Sequence, residues 1–382
     1  MKSLKIFKNK KYFAIGFGFA AVSLLFSTWI IYIPHTAAKL NLSEEEIGLA
    51  LFFISLGAFS IMPLSAKILD FLGEGKATMW SILTLSILLI FPFLATNMMV
   101  LYACLYLVGV ASGFLGIAVN ALVTVVEKQE KVLIMSGSHG FYSLGGVVGA
   151  GLGGLLAAVL QNPVIHAVLV AIFMWSMQFF LAGSYAKIRT EGHLFKEKKR
   201  FRIKPVLGLA LTGFSIMISE GAIADWSSLY LQKVLHAPTW LIGMGYAGFS
   251  MMMAIGRFYG DVITARFGSV KMIQIGIVVG SIGLLLVISG SLIPALLGFM
   301  LIGLGFSGII PELYRLAGSM DDIKPSEGIA AVSGTGYIGF LVGPVGLGYV
   351  AGQLGLQASF GVLFLFTLFS FIMSKTALKV HG

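Results

Sequence analysis

Residues 47–76 read IGLALFFISLGAFSIMPLSAKILDFLGEGK, and residues 242–271 read IGMGYAGFSMMMAIGRFYGDVITARFGSVK. The two stretches stand 195 residues apart, with Ile47-Gly48 returning as Ile242-Gly243 and Gly73 with Lys76 returning as Gly268 with Lys271. The same offset relates Ser112-Gly113 to Ser307-Gly308, Ser138 and Tyr142 to Ser333 and Tyr337, and Gly151-Leu152-Gly153 to Gly346-Leu347-Gly348. No gap is needed anywhere between residues 47 and 348. Two parallel helical repeats in a bilayer form halves that rock about a central site and open it to either side in turn. The repeat therefore points to an all-α membrane protein built for moving solutes.

The composition agrees. Hydrophobic residues make up 58% of the 382 and charged residues 11%, against roughly 25% charged in soluble domains. The 48 glycines suit helices that approach closely in lipid, where small residues let backbones touch. A single cysteine, Cys104, excludes a disulfide framework or a cysteine-based metal site.

Runs of about 20 apolar residues, enough to cross a bilayer, occur twelve times: at 12–34, 45–66, 78–96, 99–124, 134–160, 164–186, 205–231, 239–264, 270–290, 293–316, 327–353 and 356–378. The first run is too long for a secretory leader and no small-residue cleavage site follows it. Twelve spans in two pseudo-symmetric six-helix bundles are expected: 1–186, then a basic linker at 187–204, then 205–382.

Positive charge orients the chain. Lys2, Lys5, Lys8, Lys10 and Lys11 precede the first run, and Lys187, Arg189, Lys196, Lys198, Lys199, Arg200, Arg202 and Lys204 fill the linker. With both termini inside, only Lys39 and Lys233 of the 26 basic residues fall in outer loops. Basic segments are retained in the cytoplasm during insertion, so both termini are expected there, in a bacterial-type inner membrane. The net charge of +10 is then a topology signal, and no nucleic-acid partner is expected. No zinc motif, nucleotide-binding glycine loop or nucleophile–base set is found. An enzyme, a resident cofactor or metal, and an ATP-driven pump are not expected. The expected partners are a small solute, protons and lipid, with the protein acting as a monomer.

The loop after the second run, Ala66-Lys67-Ile68-Leu69-Asp70-Phe71-Leu72-Gly73-Glu74-Gly75-Lys76, resembles the signature loop of the major facilitator superfamily. Its repeat keeps Arg266, Gly268 and Lys271 but has Ala265 in place of the acid. The resemblance implies that Asp70, and more weakly Arg266, help latch the inner side. Ser138-His139-Gly140-Phe141-Tyr142-Ser143-Leu144-Gly145, Glu220-Gly221 through Asp225-Trp226, and Thr335-Gly336-Tyr337 through Gly343-Pro344 look like the MosC-like branch of that superfamily. That branch implies a small polar solute, sugar-, polyol- or amino-sugar-like. Relatives often place an acid after the fourth-helix Asn, whereas Asn120 is followed by Ala121 and Leu122. The fifth run, Gly145 through Gly154, resembles the glycine-rich motif of exporting facilitators, with Ala150 in place of Pro.

Ionisable groups inside a span are costly and mark pathways. Glu220 falls near the middle of the seventh run and Asp225 in its outer half. Five residues at 100° each set them about 140° apart around the helix. Glu220 is read as the proton carrier and as a solute contact, with Asp225 and His139 as further coupling candidates. Glu312 and Arg315 share a helix face at a spacing suited to an ion pair and are read as a gate, with Arg315 also facing solute. Arg315 stands 195 residues from Asn120, a second candidate wall of the site. Pro311 is expected to kink that helix. Trp29 and Trp226 occupy similar outer-half positions and are candidates for stacking on a sugar or polyol; Tyr142 and Tyr337 are further candidate solute contacts. The function expected is proton-coupled secondary transport by alternating access. An exporter of amphipathic compounds or drugs, and a non-transporting sensor or scaffold, are the alternatives.

Overall fold

The computed structural model describes residues 9–132, 134–189, 206–318, 320 and 325–378. Lys2, Lys5 and Lys8, and the linker beyond Arg189, lie outside the described residues. Among the described residues the chain is all helix, without a strand.

In the first half the helices are α1 Lys10–Ile30, α2 Ile33–Leu40, α3 Glu44–Leu72, α4 Glu74–Leu88 and α5 Phe91–Leu94. They continue as α6 Met98–Glu130, α7 Met135–Val147, α8 Gly153–Leu160 and α9 Pro163–Leu181. The second half holds α10 Leu207–Lys233, α11 Met244–Phe267, α12 Ser269–Ile288, α13 Leu292–Phe306, α14 Ile309–Gly318, α15 Pro325–Leu354 and α16 Leu356–Leu378.

These pieces make twelve spans because several are broken helices. A proline ring clashes with the carbonyl four residues back, and the breaks follow. α1 ends at Ile30 before Pro34, α4 at Leu88 before Pro92, and the turn at Ser307-Gly308 precedes Pro311. The fifth span instead passes through a π-helical turn, Val148–Leu152, between α7 and α8. Eleven stretches among the described residues are long and apolar enough to cross a bilayer. The twelfth, α11, has the length at 24 residues but carries Arg257, Asp261 and Arg266.

Helix starts obey local chemistry. Asn97 and Asn162 cap α6 and α9 by accepting backbone N–H groups at 3.0–3.2 Å. Ser43 and Glu46 form a reciprocal capping box at the start of α3, satisfying two of the amides a helix start leaves open.

The repeat is visible in the backbone itself. Gly73 adopts φ 78°, ψ 151°, and Gly268 adopts φ 81°, ψ 158°. Side-chain-bearing residues rarely reach that region, so both signature loops depend on glycine at the same step. Packing repeats as well. A Cβ at Gly109 would lie 2.0 Å from the Ile54 carbonyl oxygen, and one at Gly303 would lie 2.1 Å from that of Phe249. Helix backbones touch at both crossings.

The chain divides into two compact units, Met1–Leu42 with Ala50–Glu197, and Ser43–Leu49 with Lys198–Gly382. The most enclosed spans are α1 with α2, whose most apolar window is 89% buried, and α10, at 72%. Each unit thus organises its other helices around its own first span.

Candidate functional site

Glu220 stands at the midpoint of α10, 13 residues from Leu207 and 13 from Lys233. A carboxyl at that depth needs a partner or a proton. The hydroxyls beside it are already engaged. Ser215 donates to the Leu211 carbonyl at 3.0 Å and Ser219 to the Ser215 carbonyl at 2.8 Å. Glu220 Oε1 is shielded from solvent and has no hydrogen-bond partner among the described residues. Among the described residues, the charged side chain that acts on Glu220 is Arg257, on α11. Tyr314 on α14 is within electrostatic reach of both Glu220 and Tyr337 on α15. Four helices therefore contribute one polar group each to a single cluster in the second unit.

Close packing sets the spacing of that cluster. A Cβ at Gly221 would come within 2.6 Å of the Phe340 ring, so α10 and α15 approach tightly beside Glu220. Phe340 in turn packs on Tyr337, with ring centroids 6.4 Å apart. Tyr337 keeps 45% of its surface exposed. Chemically, the carboxylate accepts from hydroxyl or ammonium groups, the guanidinium donates in a fixed fork, and each phenol does either. Such a set suits a small molecule rich in hydroxyl or amino groups.

A second polar knot lies next to it on α14. Glu312 is 3% exposed, accepts from the Thr264 hydroxyl at 2.9 Å and pairs with Arg315 at 3.3 Å. Glu312 Oε2 is buried without a partner among the described residues. Arg315 leaves half of its side chain exposed.

The remaining sequence candidates are dispersed. Trp29 and Trp226 are 2% and 1% exposed, and neither indole nitrogen has a partner among the described residues. Trp29 packs on Phe93 at 5.9 Å. With no ring face uncovered, neither indole is placed to stack on a solute; these rings fill their bundles instead. Asn120 donates to the Gly116 carbonyl of its own helix at 2.8 Å. His139 meets the Phe19 ring edge-on at 4.9 Å, and Tyr142, near it on α7, is half-buried.

Asp70 is exposed, and its backbone carbonyl accepts from Arg189, while the Gly75 amide donates to the Ile188 carbonyl at 3.0 Å. The signature loop is thereby clasped by the segment that follows α9. Arg266 is exposed, with its guanidinium 5.3 Å from the Phe267 ring centre. Asp225 is 9% exposed.

Of the sequence candidates, then, the structure brings Glu220 and Tyr337 into one cluster and Glu312 and Arg315 into another. It adds two residues that the sequence reading passed over, Arg257 and Tyr314. Arg257 carries a readable signal, since a basic residue inside an apolar run is as costly as an acid. Tyr314 has none of its own and becomes visible only through the company it keeps.

The chain matches the Major Facilitator Superfamily over residues 12–320. It is 29% identical over 363 residues to an uncharacterized MFS-type transporter of Yersinia pestis, covering 94% of this chain and 91% of that one. It is 28% identical over 347 residues to the membrane protein MosC of Rhizobium meliloti, covering 90% and 84% respectively. The solved structure of a point mutant of the nucleoside transporter NupG superposes with a TM-score of 0.71 at 12% identity, over 98% of this chain and all of that one. Twelve helical spans, an internal repeat and these matches agree: the chain is a multi-pass membrane protein, MosC-like in sequence, and belongs to the Major Facilitator Superfamily.

Proposed function

We propose that this protein is a secondary transporter that moves a small polar organic solute, sugar-, polyol- or amino-sugar-like, across the inner membrane by alternating access coupled to protons. Both termini lie in the cytoplasm in this reading, as the distribution of lysine and arginine favours. The observation that carries it is the cluster of Glu220, Arg257, Tyr314 and Tyr337 on four helices of the second unit. Glu220 Oε1, buried without a hydrogen-bond partner among the described residues, gains none from an apolar passenger and one from a polyhydroxylated or amino-bearing one. The tyrosine rings offer flat apolar faces to its C–H surface.

Thermal stabilisation of the purified full-length protein tests this directly. The panel holds sugars, polyols, amino sugars, nucleosides and lipophilic drugs. A ligand present at a hundred times its Kd stabilises the folded state by about 2.7 kcal/mol. We expect a polar solute to raise the melting temperature of the wild type and to fail with Arg257→Met. Stabilisation by lipophilic drugs alone would favour an exporter of amphipathic compounds. A protein that no solute stabilises, and that exchanges none in vesicles, would fit a sensor or scaffold.

A further inference from the structure

In the first unit the end of α3 is held by an apolar knot. Leu69, Ala77 and Ala118, on α3, α4 and α6, are buried together, with Phe114 and Ile117 packed against them. At the 195-residue offset, Ala77, Ala118 and Phe114 return as Met272, Leu313 and Ile309, which are again apolar and buried. The other two positions change character. Leu69 returns as Thr264 on α11, and Ile117 as Glu312 on α14. Both are buried, and they bond to each other: the Thr264 hydroxyl donates to Glu312 Oε1 at 2.9 Å.

The backbone around the pair is the same in both copies. The Gly73 amide donates to the Leu69 carbonyl at 2.8 Å, and the Gly268 amide donates to the Thr264 carbonyl at 2.7 Å. Each signature glycine therefore hangs on the residue whose side chain differs.

The two holds respond differently to water. Apolar packing is undone only by exposing hydrocarbon, so Leu69 stays seated when its surroundings become wet. A hydrogen bond to a carboxylate is directional, and breaking it in a dry interior leaves both groups unpaired. With water at hand the same break is an exchange of partners and costs little. Glu312 is open to that exchange. A carboxylate accepts up to about four hydrogen bonds, yet its Oε2 is buried with no partner among the described residues. Arg315, paired with Glu312 at 3.3 Å, leaves half of its side chain exposed, so solvent stands at one end of the knot.

We propose that the Thr264–Glu312 hydrogen bond is a releasable clasp: when water or a solute hydroxyl reaches Glu312, the last turn of α11 and its signature loop come off α14, while the Leu69 knot keeps the first copy seated. The inference rests on the transport reading above and gives one moving part of alternating access to the second unit. The signature loop that has Ala265 where the first has Asp70 is in this way governed by a carboxylate on another helix.

Hydrogen–deuterium exchange of the full-length protein in lipid, without solute, reads the clasp against its counterpart. Corrected for intrinsic rates, amides 263–268 should exchange faster than amides 68–73 by about tenfold or more, the factor that one hydrogen bond to a charged group carries. Polyethylene glycol too large to enter the protein withdraws water from it, and should slow 263–268 while leaving 68–73 unchanged. Thr264→Leu together with Glu312→Ile writes the first copy's pair into the second. Amides 263–268 should then match 68–73 and cease to respond to the polymer. A bond that only braces the fold would give no response to the polymer. Equal wild-type rates, a polymer-independent rate at 263–268, or a double variant that exchanges as the wild type does, overturns the proposal. The two wild-type measurements decide it should the double variant not fold. Because no solute is present, failure here leaves the solute reading to thermal stabilisation, and failure there leaves this result standing.

Discussion

The two halves share a repeat but not a chemistry. Both turn through a left-handed glycine at the same step, Gly73 and Gly268, and both press helix backbones together at a glycine, Gly109 and Gly303. Charge separates them. The spans of the first half hold no Asp, Glu, Lys or Arg in mid-helix. Its ionisable knot sits at the ends of α1 and α6, where Lys11 and the Tyr12 hydroxyl meet Glu130 and Glu127 accepts the Ile134 and Met135 amides at 2.6 and 2.8 Å. The second half places Glu220, Asp225, Arg257, Glu312 and Arg315 within its spans. At the 195-residue offset, Met62 stands for Arg257, Ile117 for Glu312 and Val119 for Tyr314. A duplicated scaffold thus keeps its packing rules in both copies, while among the described residues mid-helix Asp, Glu and Arg stand in one copy alone.

The shared part of that comparison should fail equally in both halves. Gly109→Val and Gly303→Val each drive a side chain into a backbone carbonyl that cannot yield, and overpacking of a core costs about 1–3 kcal/mol or more. Both variants are expected to lose most of their folded yield, read as the monodisperse fraction after extraction. A tolerated Gly303→Val beside a lethal Gly109→Val would show that the packing is not shared after all.

The unshared part should fail in one half only. Arg257→Met leaves Glu220 without its counter-charge, and losing one member of such a pair costs roughly 2–5 kcal/mol. Solute affinity should fall by on the order of a hundredfold or more. Met62→Ala, at the matching position, should change it by no more than about twofold, within the ±0.5 kcal/mol usual for sites away from special features.

How much of this was legible in sequence follows from what periodicity can and cannot encode. Apolar runs and the 195-residue offset reveal the twelve spans. Pro311 announces the break in the tenth because its ring acts on its own helix. The cluster is different. Arg257 lies inside the quoted repeat, yet nothing in its spacing says which helix it faces, and its link to Glu220 exists only once α10 and α11 are packed. The tryptophans mislead for a related reason. Trp29 and Trp226 have the composition of a sugar platform, but the neighbours that cover them, such as Phe93, come from other spans.

Smaller effects sharpen the contrast between the polar knots. Glu312→Gln keeps an oxygen for Thr264 but removes the charge that Glu312 sets against Arg315, and a destabilisation of about 1–3 kcal/mol is expected. Glu127→Gln retains an acceptor for the α7 amides and loses only the attraction of charge for a helix start, about 0.3–1 kcal/mol. Melting temperatures of the two variants should therefore rank Glu312→Gln below Glu127→Gln. The opposite order would place the more demanding electrostatic knot in the first half.

The central claim is that Glu220 and Arg257 act on solute as one unit within the second half. Equilibrium binding of the stabilising solute to wild type, Glu220→Gln, Arg257→Met and the double variant tests it most directly. If the two are coupled, the double variant binds no worse than the weaker single variant, which corresponds to a coupling of at least about 1.5 kcal/mol. Losses that simply add to within about 0.5 kcal/mol, or single variants that bind as the wild type does, would contradict the account.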